Sequence, residues 1–187
     1  TALLVTAGTE LVVVSSAETG LAVSDEVEAS HASIIACRCG AGCRDNDAMT
    51  LRQATRDDTA ELWRVRYAVT ENTLTPGRIS DAELHAYLED HGRGWVVELE
   101  PGPGSRIAGF AIGDARDGNI WALFVDPACA GRGHGRTLHD VMVDWLFSTG
   151  LVRLHLGTQP GSRAEAFYRR AGWRPLHIDN HGERRFE

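Results

Sequence analysis

Beyond residue 48 the apolar positions alternate between a two-residue and a 3.6-residue period, separated by glycine, proline and acidic turns. Residues 49–55 read as a strand. Asp57 or Asp58 can cap a helix whose apolar face is Leu62, Val65 and Val69, fading near Glu71-Asn72-Thr73 before Pro76-Gly77 breaks it. Ser80 with Glu83 three residues on forms a capping box and opens a second helix to about His91. Residues 95–99 and 107–113 flank a Pro/Gly-rich loop as a β-hairpin. Residues 120–125 are apolar at successive positions, the pattern of a central strand buried on both faces. Leu138, Val141, Met142, Trp145 and Leu146 then recur at helical spacing, predicting a helix over about 136–148 that Gly150 stops. A strand over 151–156 and a helix over 162–171 follow, the helix carrying Ala164, Phe167, Tyr168 and Ala171 on one face. Residues 173–178 and 183–186 close with a second hairpin around Asn180-His181-Gly182. The order β-α-α-β-β-β-α-β-α-β-β predicts an α/β domain, a mixed sheet with helices on its faces.

Residues 1–48 have a different texture. They contain no aromatic residue, carry seven acidic side chains against Arg38 and Arg44, and sustain no helical period beyond two turns. The expected organisation is an extension over 1–48, flexible or not native to the protein, and a functional domain over 49–187. No positive residue precedes the apolar run Leu11–Val14, so a secretory leader is not expected and reduced cytoplasmic thiols are the default. Cys37, Cys39 and Cys43, with His31 upstream, could be drawn as a zinc site. Structural zinc usually needs a second ligand pair, and the fourth cysteine is the distant Cys129, so no metal is expected.

Composition removes several function classes. The chain has 187 residues and a formal charge of −7, which is not the footprint of a nucleic-acid binder. No stretch approaches 18 consecutive apolar residues, so no membrane span is expected. All the basic residues are arginine, which excludes a Walker A lysine, a pyridoxal Schiff base and the kinase strand lysine. Serine-hydrolase G-x-S-x-G and zincin H-E-x-x-H motifs do not occur, and the histidines show no metal spacing.

The most informative stretch is Gly131-Arg132-Gly133-His134-Gly135, between an apolar strand and the best helix of the chain. Such a loop aims free N–H groups and the positive end of a helix dipole at one point, and Arg132 and Arg136 add full charges there. A phosphate or pyrophosphate is the physical expectation; a turn that merely permits tight packing is the alternative. A dinucleotide G-x-G-x-x-G would need glycine at 136, where arginine stands, and an acidic residue about 20 positions on is missing.

Here the sequence resembles the GNAT superfamily of acyl-CoA N-acyltransferases, on two separated motifs. The run Val125-Asp126-Pro127-Ala128-Cys129-Ala130-Gly131-Arg132-Gly133-His134-Gly135-Arg136 is similar to the family's strand end and R/Q-x-x-G-x-G/A cofactor loop. Ala164 and Phe167-Tyr168-Arg169-Arg170-Ala171-Gly172-Trp173 look like its late A-x-x-F-Y-x-x-x-G-F/W signature. Two positions depart: Ala130 stands where Arg or Gln is usual, and Gly161 where many members carry asparagine.

The resemblance implies the GNAT fold, a mixed and mostly antiparallel sheet of six to seven strands with about four helices on its faces, splayed between its central strands. It implies transfer of an acetyl group from acetyl-CoA to an amine of a small molecule or peptide in a direct ternary complex, with no metal. A non-catalytic acyl-CoA-binding or regulatory domain of the same fold is the alternative. By resemblance, main-chain groups of Leu123, Phe124 and Val125 would pair with the pantetheine arm, and Gly131, Arg132, Gly133, His134, Gly135, Arg136 and Thr137 would hold the pyrophosphate. Tyr168 occupies the family's general-acid position. The family often places a glutamate base on the central strand, but residues 119–125 contain no carboxylate, which leaves an acid from another element, water and backbone carbonyls, or an acceptor amine of low pKa; Glu71, where the first helix breaks, is the candidate acid. Asn72, Trp95 and Trp121 are candidate acceptor contacts. A bacterial, cytoplasmic protein, with a homodimer possible by resemblance, completes the expectation.

Overall fold

A computed structural model of the chain describes residues 49–71, 76–99, 102 and 104–187. The proposed boundary at residue 48, the cysteine cluster at 37–43 and Asn72 lie outside the described residues. The described residues form two antiparallel sheets. The first has the order β1-β2-β3-β4, from β1 (Met49–Gln53), β2 (Gly92–Leu99), β3 (Arg106–Asp114) and β4 (Asn119–Val125). The second has the order β5-β7-β6, from β5 (Leu156–Thr158), β6 (Pro175–Ile178) and β7 (Arg184–Phe186). Four helices, α1 (Thr59–Ala68), α2 (Asp81–Glu89), α3 (His134–Ser148) and α4 (Arg163–Arg170), complete the expected element order.

Local chemistry accounts for the ends of the elements. Thr55 and Asp58 cap each other reciprocally ahead of α1. The Ser80 and Ser162 hydroxyls accept the N–H groups of Glu83 and Glu165 at the starts of α2 and α4. Gly133 holds a left-handed conformation, φ 89°, that allows the loop to turn into α3, which begins two residues earlier than its apolar stripe predicts. The expected strand over 151–156 is displaced: only Leu156–Thr158 joins a ladder, His155 makes an isolated bridge, and Val152 is 87% exposed. The partner strand β7 is three residues long and begins its pairing at Leu156↔Phe186, so the residues before have no ladder to join.

Two apolar clusters sit on opposite faces of the first sheet. One joins the sheet to α3 and α4 through Leu138, Met142, Leu146, Leu156, Tyr168 and Phe186. The other joins it to α1 and α2 through Leu62, Val65, Leu84, Leu88, Val96 and Phe110. Beyond these layers the two sheets touch at a single parallel bridge between Asn119 and His155. There the Ile120 N–H donates to the His155 carbonyl and the His155 N–H to that of Gly118, each at 2.9 Å. Past that point β4 and β5 diverge, so β4 is not the fully buried central strand its composition suggests.

Candidate active site

The divergence of β4 and β5 opens a cavity of about 860 Å³. The pairing of β3 with β4 runs Ile112↔Ala122 and then Gly113↔Ile120, leaving Trp121 as the extra residue of a bulge. Nearer the strand end, the Asp126 N–H donates to the Ala108 carbonyl at 2.8 Å. Antiparallel alternation from that bond directs the main-chain groups of Leu123 and Val125 at the gap. Phe124 keeps its main chain in the β3 ladder opposite Phe110, so it reaches the cavity through its ring rather than its backbone.

The glycine loop forms one wall. Gly131, Gly133, His134, Gly135 and Arg136 line the cavity. Gly131 and Gly133 have positive φ, and a Cβ at either would meet nothing within 4 Å, so the loop stands open at its tip. Among the described residues no backbone hydrogen bond uses the N–H of Gly131, Gly133, His134 or Gly135. Those donors, at the start of a 15-residue helix, fit an anion such as a pyrophosphate. Arg132 is exposed on the loop and Thr137 lies one turn into α3, both outside the cavity lining. The His134 ring is buried with no partner for either nitrogen among the described residues; burial, then the Arg132 charge, lower its pKa and keep it neutral. Gly161, in the place of the family's asparagine, has φ 75°, a conformation that favours glycine and tolerates asparagine. Its N–H donates to the Glu165 carboxylate at 2.6 Å.

Tyr168 of α4 also lines the cavity, 6% exposed. Its ring is packed by Phe167 at 5.3 Å, Trp173 at 5.8 Å and Phe186 at 6.1 Å between centroids, so it is at once a core aromatic and a cavity residue. Burial pushes its phenol well above the ordinary tyrosine range, and the proton stays on the oxygen at any working pH.

Glu71 lines the cavity just beyond α1 and is ion-paired with Arg163 at the start of α4. Trp121 also lines the cavity, whereas Trp95 does not. Trp95 is 7% exposed and packs edge-on against Trp145 of α3, at 5.4 Å. Its strand β2 is separated from the gap by β3 and β4, which corrects its assignment as an acceptor contact. Sequence reasoning missed Trp63, Arg66, Arg163, Glu183 and Arg185, all in the cavity wall. Trp63 alone carried a signal: it is a large apolar residue beside, not on, the buried Leu62/Val65 stripe of its helix.

A bulged strand beside a split sheet, with a glycine loop at its end, defines the class of the protein, and comparison with known proteins agrees. The acetyltransferase (GNAT) family profile matches residues 54–173, and the chain belongs to that family. It is 36% identical over 87 residues to the mycothiol acetyltransferase of Beutenbergia cavernae, covering 45% of this chain and 29% of that protein. The chain therefore matches less than a third of that curated relative's length. Among solved structures, a GNAT acetyltransferase of Staphylococcus aureus superimposes with a TM-score of 0.63 at 18% identity, over 74% of this chain and 97% of that one. An N-acetyltransferase of Thermoplasma acidophilum in complex with coenzyme A gives 0.60 at 13% identity, over 74% and 97%. The ribosomal-protein-S18-alanine N-acetyltransferase of Escherichia coli gives 0.57 at 17% identity, over 74% and 90%.

Proposed function

We propose that the protein transfers an acetyl group from acetyl-CoA to the amine of a small molecule or peptide, with both substrates in the cavity at once. The observation that carries this reading is continuity: one cavity is lined by the glycine loop, by the free edge of β4 and by residues of α1 and α2. Acetyl-CoA supplies the acetyl group as a thioester, and the cavity residues do the rest. The open N–H groups of the loop hold the pyrophosphate. The gap-facing main chain of Leu123 and Val125 aligns the arm, and an N–H there meets the carbonyl oxygen as negative charge grows on it, worth about 3–4 kcal/mol for a preorganised donor.

As the C–N bond forms and the C–S bond breaks, the amine loses a proton and the departing thiolate gains one. Tyr168 supports the second transfer. Burial keeps the proton on its phenol, so the residue enters the reaction as an acid rather than a base. Glu71, paired with Arg163 and lining the cavity just beyond α1, is the carboxylate assigned here to take the amine's proton. The lack of a carboxylate on β4 favours the second reading, an acyl-CoA-binding domain without turnover.

Thermal unfolding of the full chain tests the cofactor. At a hundredfold excess over its dissociation constant, acetyl-CoA should add about 2.7 kcal/mol. That raises the midpoint by roughly 5–10 °C, with no shift for NAD or ATP. No shift with acetyl-CoA would remove the reading. A shift without thiol release from any amine, the acceptor of the mycothiol enzyme included, would select the binding domain.

A further inference from the structure

The α1/α2 side of the cavity has a chemistry that acyl transfer alone does not require. Its wall there is aromatic and aliphatic: Leu62, Trp63, Leu84, Trp121 and Phe124 line it and pack in one apolar cluster. The two indoles are held from outside the cavity. Trp63 donates its Nε1–H to Asp81 at 2.7 Å and stacks on Tyr67, with centroids 5.8 Å apart and planes 25° apart. Trp121, the bulge residue of β4, stacks on Tyr87 of α2 at 4.2 Å and 21°. Tyr87 in turn carries the Arg116 guanidinium 5.4 Å from its centroid. Both indoles are only half buried, so each is a fixed flat surface that still reaches the cavity. The Arg66 guanidinium is buried over the Phe124 ring of the same wall, 4.5 Å from its centroid.

An ammonium entering this space sheds water against apolar walls, which disfavours its protonated form. A flat apolar body gains contact with two indoles that need no reorganisation. We infer that the acceptor is a primary amine carried on an aromatic or comparably flat apolar body, seated against Trp63 and Trp121. The inference rests on the acyl-transfer reading above. It also supplies what β4 lacks: on this wall, loss of hydration shifts the amine toward the neutral nucleophile without a strand carboxylate.

The test uses the full chain with saturating acetyl-CoA and thiol release as readout, comparing 2-phenylethylamine and tryptamine with n-butylamine and spermidine. The arylalkylamines should exceed n-butylamine in kcat/KM by at least about tenfold. Trp63→Ala and Trp121→Ala should each bring that ratio to within about twofold of one, and Trp63→Phe should keep most of it. The ratio is insensitive to partial loss of folded protein. In parallel, calorimetric binding of 2-phenylethylamine and n-butylamine is measured on the chain saturated with coenzyme A. Equal or better use of n-butylamine or spermidine overturns the acceptor assignment and leaves acyl transfer standing. If acetyl-CoA binds but no amine is turned over, acyl transfer fails and binding decides the wall: tighter arylamine binding supports it, equal binding overturns it.

Discussion

Asp126 joins three parts of the chain. Its carboxylate accepts from Arg64 of α1 at 2.6 Å, from Arg106 of β3 at 2.7 Å and from the Ala128 N–H at 2.9 Å, in the turn that leads to the glycine loop. Burial alone would raise its pKa, but the bonds from Arg64, Ala128 and Arg106 outweigh burial and hold it at about 2. A carboxylate with a depressed folded pKa contributes stability above its unfolded value, near 3.8, that is lost as the pH falls through about 2. Asp126→Asn should therefore cost about 2 kcal/mol near neutrality. In urea titrations across pH, the gap between wild type and variant should close between about pH 4 and pH 2. A gap that persists unchanged into acid would refute the assignment. Nothing local in Val125-Asp126-Pro127 announces this role, because both arginines arrive from distant positions. Tyr168 is the opposite case, legible from its flanking pattern. Tyr168→Phe should lower kcat by roughly ten- to a thousandfold while leaving acetyl-CoA affinity within about twofold. Unchanged turnover would make the residue a core aromatic only.

Between elements, the least anticipated feature is the tie from α3 to the residues after α4. Trp173 donates its Nε1–H to His139 Nε2 at 2.8 Å, and indole can only donate, so that ring nitrogen carries no proton. The proton sits on Nδ1 and is donated to Asp140 at 2.7 Å, while Arg136 donates to the other Asp140 oxygen at 2.8 Å. Arg136 lines the cavity, so the packing of α4 behind Tyr168 is linked to a side chain at the glycine loop. Trp173→Phe keeps a ring but loses the donor. It should cost about 1 kcal/mol in denaturant unfolding and weaken acetyl-CoA binding measurably. An unaltered cofactor affinity would show that the tie is structural only. Close approach matters as well: a Cβ at Gly109 of β3 would lie 2.7 Å from the Phe124 carbonyl oxygen. Gly109→Ala should push β4 outward and destabilise by about 1–3 kcal/mol, read from the urea midpoint. The starts of α2 and α4 were legible here because their serine caps are local, whereas α3, entered through Gly133 with no side-chain cap, begins two residues earlier than its apolar stripe predicts. β5 was not, since a strand extends only as far as its partner and β7 lies almost thirty residues away.

At the largest scale, the described residues form two antiparallel sheets joined at one bridge and open beyond it, the gap on which the proposed acyl transfer rests. We propose that residues 49–187 form the acetyltransferase unit. Expressed alone, they should show the same acetyl-CoA-dependent rise in unfolding midpoint as the full chain; a missing shift would place part of the site in residues 1–48. No described helix is long and apolar enough to cross a membrane.

The sequence by itself determined the order and type of the elements, the glycine loop opening α3 and, through two short motifs, the family. Each is a property of neighbours in the chain, of periodicity, capping and turn residues. Only the tertiary structure decided which side chains share the cavity. It brought Trp63 and Trp121 to the wall and left Trp95 in the core, and it set Glu71 against Arg163, 92 residues further on. Equivalent residue types fall on different sides of that division because strand order and the divergence of β4 from β5 are set by non-local packing, which no local pattern encodes.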